Sequence, residues 1–192
     1  GASWGLLTTA PEYLAEGNPA GSIAVTDEFD LTYWLSPAGW AGDWRGYESA
    51  SFDLRILNGT SLLSPGTMLA VISVHGALLQ EIAESPALAQ WNHYELALNP
   101  AAFGVSQEEF DRVMRDVVML AIRAEWINGG EKEALDNVRV SKAPEEYWNW
   151  IAGFLNPEQL GDESIAGKFA DADRDGSDNW GEFISGTNPT NA

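Results

Sequence analysis

At 192 residues, with 45% hydrophobic and 20% charged side chains, the chain has a globular composition and is long enough for one domain of about 150 residues plus a small appendage. A formal net charge of −19 and a pI near 4.1 repel nucleic acid phosphates and anionic membranes; the acidity suits either a cation-rich medium or an ordinary soluble surface. With no cysteine there is neither a disulfide nor a thiolate metal site, which disfavours a small secreted eukaryotic scaffold and leaves a bacterial extracellular module.

Along the chain, a glycine-bearing turn at 17–21 precedes short apolar runs at 23–25 and 31–35. Phe52, Leu54 and Ile56 then alternate with Ser51, Asp53 and Arg55, the period of a half-buried strand. Further runs at 68–74 and 94–98 follow, and Leu120, Ile122, Ala124 and Trp126 alternate with Ala121, Arg123 and Glu125 before a last run at 135–140. Asn58-Gly59, Ser64-Pro65-Gly66 and Asn128-Gly129-Gly130 supply turn chemistry between them. One helix interrupts the strands: Ser106 and Glu109 have capping-box spacing, and Phe110, Val113, Met114 and Val117 follow at helical spacing. The pattern predicts a mainly β jelly-roll sandwich over residues 1–142 with one inserted helix.

From Pro144 onward the period is helical, with Tyr147, Trp148, Ile151 and Leu155 on one face. A helix-loop-helix over 143–192 is expected, its first helix packed on the sandwich. No apolar run approaches the roughly 20 residues of a membrane span. Gly1-Ala2-Ser3 carries none of the regions of a signal peptide and reads as a cloning remnant or the edge of an excision from a longer chain.

Asp171, Asp173, Asp175, Gly176 and Glu182 fill every fixed position of D-x-[DN]-x-[DN]-G-x5-E, with Asn179 at the ninth place. Alternating short carboxylates curl round a hard cation, Gly176 permits the sharp turn, the Ser177 carbonyl adds an oxygen, and Glu182 closes the shell. Calcium is the expected cofactor; a solvated acidic loop is the alternative. The eighth position, where paired loops carry an aliphatic residue, is Asp178, so the loop reads as unpaired and structural.

Pro144, Trp148, Pro157, Leu160, the 171–182 loop and Gly186-Thr187-Asn188-Pro189 together resemble the calcium-binding segment of large secreted marine bacterial proteins, related to thrombospondin type 3 and dockerin-like loops. Arg174 stands where that segment has glycine, and Asn188 where it has aspartate. Three further stretches resemble the laminin IV (laminin B) domain and its bacterial relatives: Gly17-Asn18-Pro19-Ala20-Gly21, the run from Trp34 through Ser36-Pro37 to Ser51-Phe52-Asp53-Leu54-Arg55, and Ala121 to Trp126 with Leu135-Asp136-Asn137-Val138. That resemblance covers about residues 4 to 141. It implies an extracellular jelly roll similar to galactose-binding-like and carbohydrate-binding modules, attached to a larger enzyme or surface protein.

Glu16, Asn18, Asp27 and Asp136 are candidates for a second calcium tying the first strands to the last, or they form only a polar turn and strand end. Flat aromatic rings stack on sugar faces while polar neighbours bind hydroxyls. Trp40, Trp44, Arg45 and Tyr47, in the glycine-bearing stretch 39–46, and Trp91 are the candidate polysaccharide contacts; packing is the alternative for each tryptophan. Trp148, Trp150 and Trp180 are expected to pin the calcium segment to the sandwich. No P-loop, G-x-S-x-G or H-E-x-x-H occurs, and His75 and His93 show no obvious acid partner in the sequence. The expectation is a non-catalytic, secreted, monomeric module that binds calcium and polysaccharide and neither nucleic acid nor membrane. A protein-binding spacer or adhesion module is the alternative, and a glycosidase using two carboxylates a more distant one.

Overall fold

The structure, a computed structural model, describes residues 11–17, 21–27 and 33–191, with only the backbone of Asp27 and Glu145. Two antiparallel sheets form a jelly-roll sandwich. The first has the order β1 (Glu12–Leu14), β2 (Ser22–Asp27), β9 (Glu131–Ser141), β4 (Ser49–Ile56), β7 (Asn92–Ala97). The second has the order β3 (Tyr33–Leu35), β8 (Val117–Arg123), β5 (Thr67–Ser73), β6 (Gly76–Glu81).

The two-residue period decides which side chains fill the space between them. Ala50, Phe52, Leu54 and Ile56 of β4 are all at most 1% exposed. In the second sheet Leu69 pairs with Ile122 and Val71 with Leu120, giving the other wall of the same core, while Trp34 of β3 lies opposite Ile122.

Short helices close one edge of the sandwich. Asn99 caps α1 (Pro100–Phe103), a helix the sequence pattern does not predict. Ser106 caps α2 (Gln107–Met114) by accepting from the Glu109 N–H at 3.2 Å. The Glu109 carboxylate lies 3.7 Å from Arg112 instead of completing a capping box. β1 and β6 were also unmarked in the sequence, and of the run at 31–35 the described strand covers Tyr33–Leu35.

The C-terminal segment contains α3 (Glu145–Ile151), α4 (Pro157–Leu160), α5 (Glu163–Ala166) and α6 (Asn179–Ser185). It has its own hydrophobic cluster around Tyr147, which is fully buried and donates its hydroxyl to the Ala166 carbonyl at 2.6 Å. Trp148, Trp150, Trp180 and Phe183 ring the Tyr147 side chain at centroid distances of 5.3, 5.7, 6.0 and 5.7 Å. These tryptophans pack α3 onto α6 within the segment, a correction to the expectation that they reach across to the sandwich; α3 contributes Tyr147 and Ile151 to the same cluster.

Polar side chains carry the joint between the two parts. Lys168 is 7% exposed, and its ammonium sits 2.8 Å from Glu95 of β7 and 4.8 Å above both the Phe169 and Trp180 rings. Glu48, just before β4, is 3% exposed with one carboxylate oxygen lacking a donor. Burial, then the nearby Glu163 charge, pushes its pKa up to about 7, against the pull of Lys168. Burial and Asp111 likewise push Glu163 up to about 7.

A carboxyl whose pKa is raised on folding contributes fully below its unfolded value and loses that stability as pH climbs to the folded value. We therefore expect the melting temperature of Glu48→Gln to exceed that of the parent by a margin that grows from about pH 5 to about pH 8. The ceiling is about 3 kcal/mol for a carboxyl pushed up to about 7. A margin independent of pH would contradict this account of the joint.

Candidate functional site

The 171–182 loop positions its oxygens through its own backbone. Asp171 Oδ2 accepts from the Gly176 N–H at 3.0 Å, Asp173 Oδ1 from Asp175 at 3.1 Å, and Asp175 Oδ1 from Ser177 at 2.7 Å. Each aspartate thus has one oxygen fixed, and each offers an oxygen within 4.8 Å of those of the other two. The turn needs two left-handed residues, Arg174 at φ 65° and Gly176 at φ 97°. This explains the glycine that related loops place where Arg174 stands.

The departure at the eighth position also has a structural reason. Asp178 is the N-cap of α6, its Oδ1 accepting from the Gly181 N–H at 2.7 Å. Asn179, fully buried, donates through Nδ2 to the Ile165 and Gly167 carbonyls at 2.7 and 2.9 Å, while its N–H reaches the Ala170 carbonyl at 2.7 Å. The loop is thereby fastened to the end of α5.

Four acceptors on this loop, Asp171 Oδ1, Asp173 Oδ2, Asn179 Oδ1 and Glu182 Oε2, are buried and without a hydrogen-bond donor. Buried polar atoms are nearly always satisfied, and an oxygen-only set of this kind suits a hard divalent cation. Burial, then the charges of Asp173, Asp175 and Asp171, raises the Glu182 pKa. In metal-free protein at neutral pH, Glu182→Gln should therefore raise the melting temperature by roughly 2–4 °C. A fall in melting temperature would show that repulsion does not govern the loop.

In the second proposed cation set, the backbone of Asp27 stands apart from that of Asp136. Asp27 pairs with Glu131 across β2 and β9, so Asp136, five residues further along β9, is roughly 16 Å away by strand rise. Glu16 instead sits 3.5 Å from Arg55. Asp136 Oδ1 accepts from the Asn137 N–H at 2.8 Å, and Asn18 lies outside the described residues. The sequence reading passed over Glu131 and Glu133, which are fully buried on the core-facing side of β9; Glu131 accepts from the Trp126 N–H. Their parity with Leu135 was the available signal.

The aromatic candidates divide. Trp44 is 4% exposed, belongs to the sandwich core and donates its indole N–H to the Trp40 carbonyl at 2.8 Å, so it is packing and not a displayed contact. Arg45 is held in a two-pronged pair with Asp43 at 2.6 to 3.2 Å. Trp40 and Tyr47, both half-buried, border a recess of about 350 Å³ with Asp43, and the Lys142 ammonium lies 4.9 Å over the Tyr47 ring. Trp91 is half-buried just before β7, away from that recess.

Both histidines do have acid partners, contrary to the sequence reading. His75, in the turn after β5, is 2.9 Å from Asp116. His93 Nδ1 is 2.6 Å from Asp53, a buried carboxylate that also accepts from Asn137 Nδ2 at 2.6 Å. These pairs join residues some 40 positions apart, which local sequence pattern does not reveal. Among the described residues no hydroxyl is hydrogen-bonded to either imidazole ring.

No family model matches the chain, and no curated protein matches it. Among solved structures, the L4b domain of human laminin alpha-2 is similar over 76% of this chain and 100% of that one, with 12% identity and a TM-score of 0.53. A family 11 carbohydrate-binding module from Clostridium thermocellum, solved with a β-1,3-1,4-mixed-linked tetrasaccharide, covers 74% of this chain and 90% of its own at 19% identity and TM-score 0.48. A xylan-binding domain from Paenibacillus barcinonensis covers 73% and 87% at 11% identity and TM-score 0.48. The laminin likeness establishes the fold class, a laminin-L4b-like jelly-roll sandwich.

Proposed function

We propose that this chain is a non-catalytic, calcium-binding module of a larger secreted bacterial protein, and that it binds polysaccharide. The observation that carries the calcium reading is the set of buried, donorless oxygens on Asp171, Asp173, Asn179 and Glu182, on a loop with the spacing such an ion requires. The ion removes the mutual repulsion of these groups and stabilises the folded state by mass action. Extracellular modules of this type operate with dissociation constants around 10⁻⁴–10⁻³ M, a range that suits a secreted protein.

The polysaccharide reading is supported by the jelly-roll fold and by the recess bordered by the half-buried Trp40 and Tyr47. Aromatic rings at the edge of a shallow recess are a usual component of a sugar site. A protein-binding spacer or adhesion role is the second reading, favoured by Val74, Leu79 and Val118, which are 69%, 54% and 38% exposed on or beside the second sheet.

Thermal melting tests the calcium reading. Millimolar calcium should raise the melting temperature of chelator-treated protein, and Asp171→Ala should abolish the rise; an equal rise in the variant would place the ion elsewhere. Retention on insoluble polysaccharides should weaken by about tenfold in Trp40→Ala if the recess makes contact. No retention of the parent chain on any polysaccharide would favour the protein-binding reading.

A further inference from the structure

One short strap of backbone links the 171–182 loop to the sandwich. It runs from Ile165 in α5 to Ala170, and donors of its own segment hold its carbonyls. Asn179 Nδ2 donates to the Ile165 and Gly167 carbonyls at 2.7 and 2.9 Å, and the Tyr147 hydroxyl to the Ala166 carbonyl at 2.6 Å. The Trp180 N–H reaches the Lys168 carbonyl at 2.9 Å, and the Asn179 N–H reaches the Ala170 carbonyl at 2.7 Å. The strap also turns tightly, because a Cβ at Gly167 would stand 2.4 Å from the Glu163 carbonyl oxygen.

The strap's own side chains reach the sandwich. The Lys168 ammonium lies 2.8 Å from Glu95 of β7, and Lys168 and Phe169 line a chamber of about 10 Å³ together with Glu48, Leu98 and Asn99. Little else braces the junction. The sandwich core and the cluster around Tyr147 share no residue among those described, and a groove of about 970 Å³ opens between α1 and α2 on one side and α4 and α5 on the other. Resting on the calcium reading, we propose that Asn179 and Lys168 form a relay through which a bound cation seats the C-terminal segment on the sandwich.

The two ends of the Asn179 side chain have different duties. Nδ2 is committed to the strap, while Oδ1 of this fully buried residue has no donor. At the ninth position of the loop an oxygen serves a hard cation, often through water. An aspartate there would serve the cation equally and could not donate to the carbonyls; an asparagine does both. The Trp180 ring, 4.8 Å from the Lys168 ammonium, gives α6 a second hold on the same lysine.

Without a cation, the carboxylates of Asp171, Asp173, Asp175 and Glu182 repel one another. Opening the loop relieves that repulsion, draws Asn179 and Trp180 off the strap, and frees Lys168 from Glu95. With a cation the same contacts hold Lys168 against β7. Binding and seating are then linked, and each strengthens the other by the same factor.

Calorimetric titration of the full chain with calcium, parent against Lys168→Met, tests the relay, because charge and coupling predict opposite signs. Methionine keeps an apolar stem beside the Phe169 and Trp180 rings and removes a positive charge three residues from the loop, which by electrostatics alone tightens cation binding. The relay predicts the reverse, a calcium dissociation constant raised about fivefold or more. Glu95→Gln, on the sandwich side of the pair, should weaken binding by a similar factor in about 1 M salt, where exposed charges are screened beyond about 3 Å; it decides the question alone should Lys168→Met fail to fold. A parent that binds calcium, with either folded variant binding as tightly or more tightly, would overturn the relay and leave the calcium reading standing. A parent that shows no binding would overturn both.

Discussion

The C-terminal segment is arranged around one electrostatic constraint: Asp171, Asp173, Asp175 and Glu182 share one twelve-residue loop, in which oxygens of Asp171, Asp173, Asn179 and Glu182 are buried without a donor. Neighbouring carboxylates in a partly dry site repel by several kcal/mol, and a cation among them is the proposed remedy. Everything nearby serves to hold that geometry. Backbone N–H groups fix one oxygen of each aspartate, Asp178 caps the helix that delivers Glu182, and Asn179 fastens the loop to α5.

From there the constraint passes to the sandwich. The backbone around 165–168 receives Asn179 from one side, while the Lys168 side chain reaches Glu95 on the other. Aromatic packing around Tyr147 makes the segment a small folded body, and the Lys168–Glu95 pair beside Glu48 ties it to the sandwich. The raised pKa values of Glu48 and Glu163 make this joint sensitive to pH. This gives the extreme acidity of the chain a local meaning: part of it is concentrated at the loop and around Glu48 and Glu163.

Elements governed by local rules were legible in the sequence. The alternation of Phe52, Leu54 and Ile56, the Ser106 cap and the spacing of Asp171, Asp173, Asp175 and Glu182 depend on neighbours a few positions away. What escaped depends on distant partners. Trp44 looked like a displayed loop residue because its stretch is rich in glycine, yet tertiary packing took it into the core. The His93–Asp53 pair is set by strand register, and the charged Glu131 and Glu133 lie on the inner face of β9, against the usual pattern. The groove between α1, α2, α4 and α5 was invisible because its two walls come from segments that meet only in the folded chain.

The measurement that tests the central claim most directly is a calorimetric titration of chelator-treated protein with calcium. The arrangement of the loop predicts one ion per chain, with a dissociation constant at or below about 10⁻³ M. The absence of a binding heat at millimolar calcium, repeated at a second temperature, would contradict it.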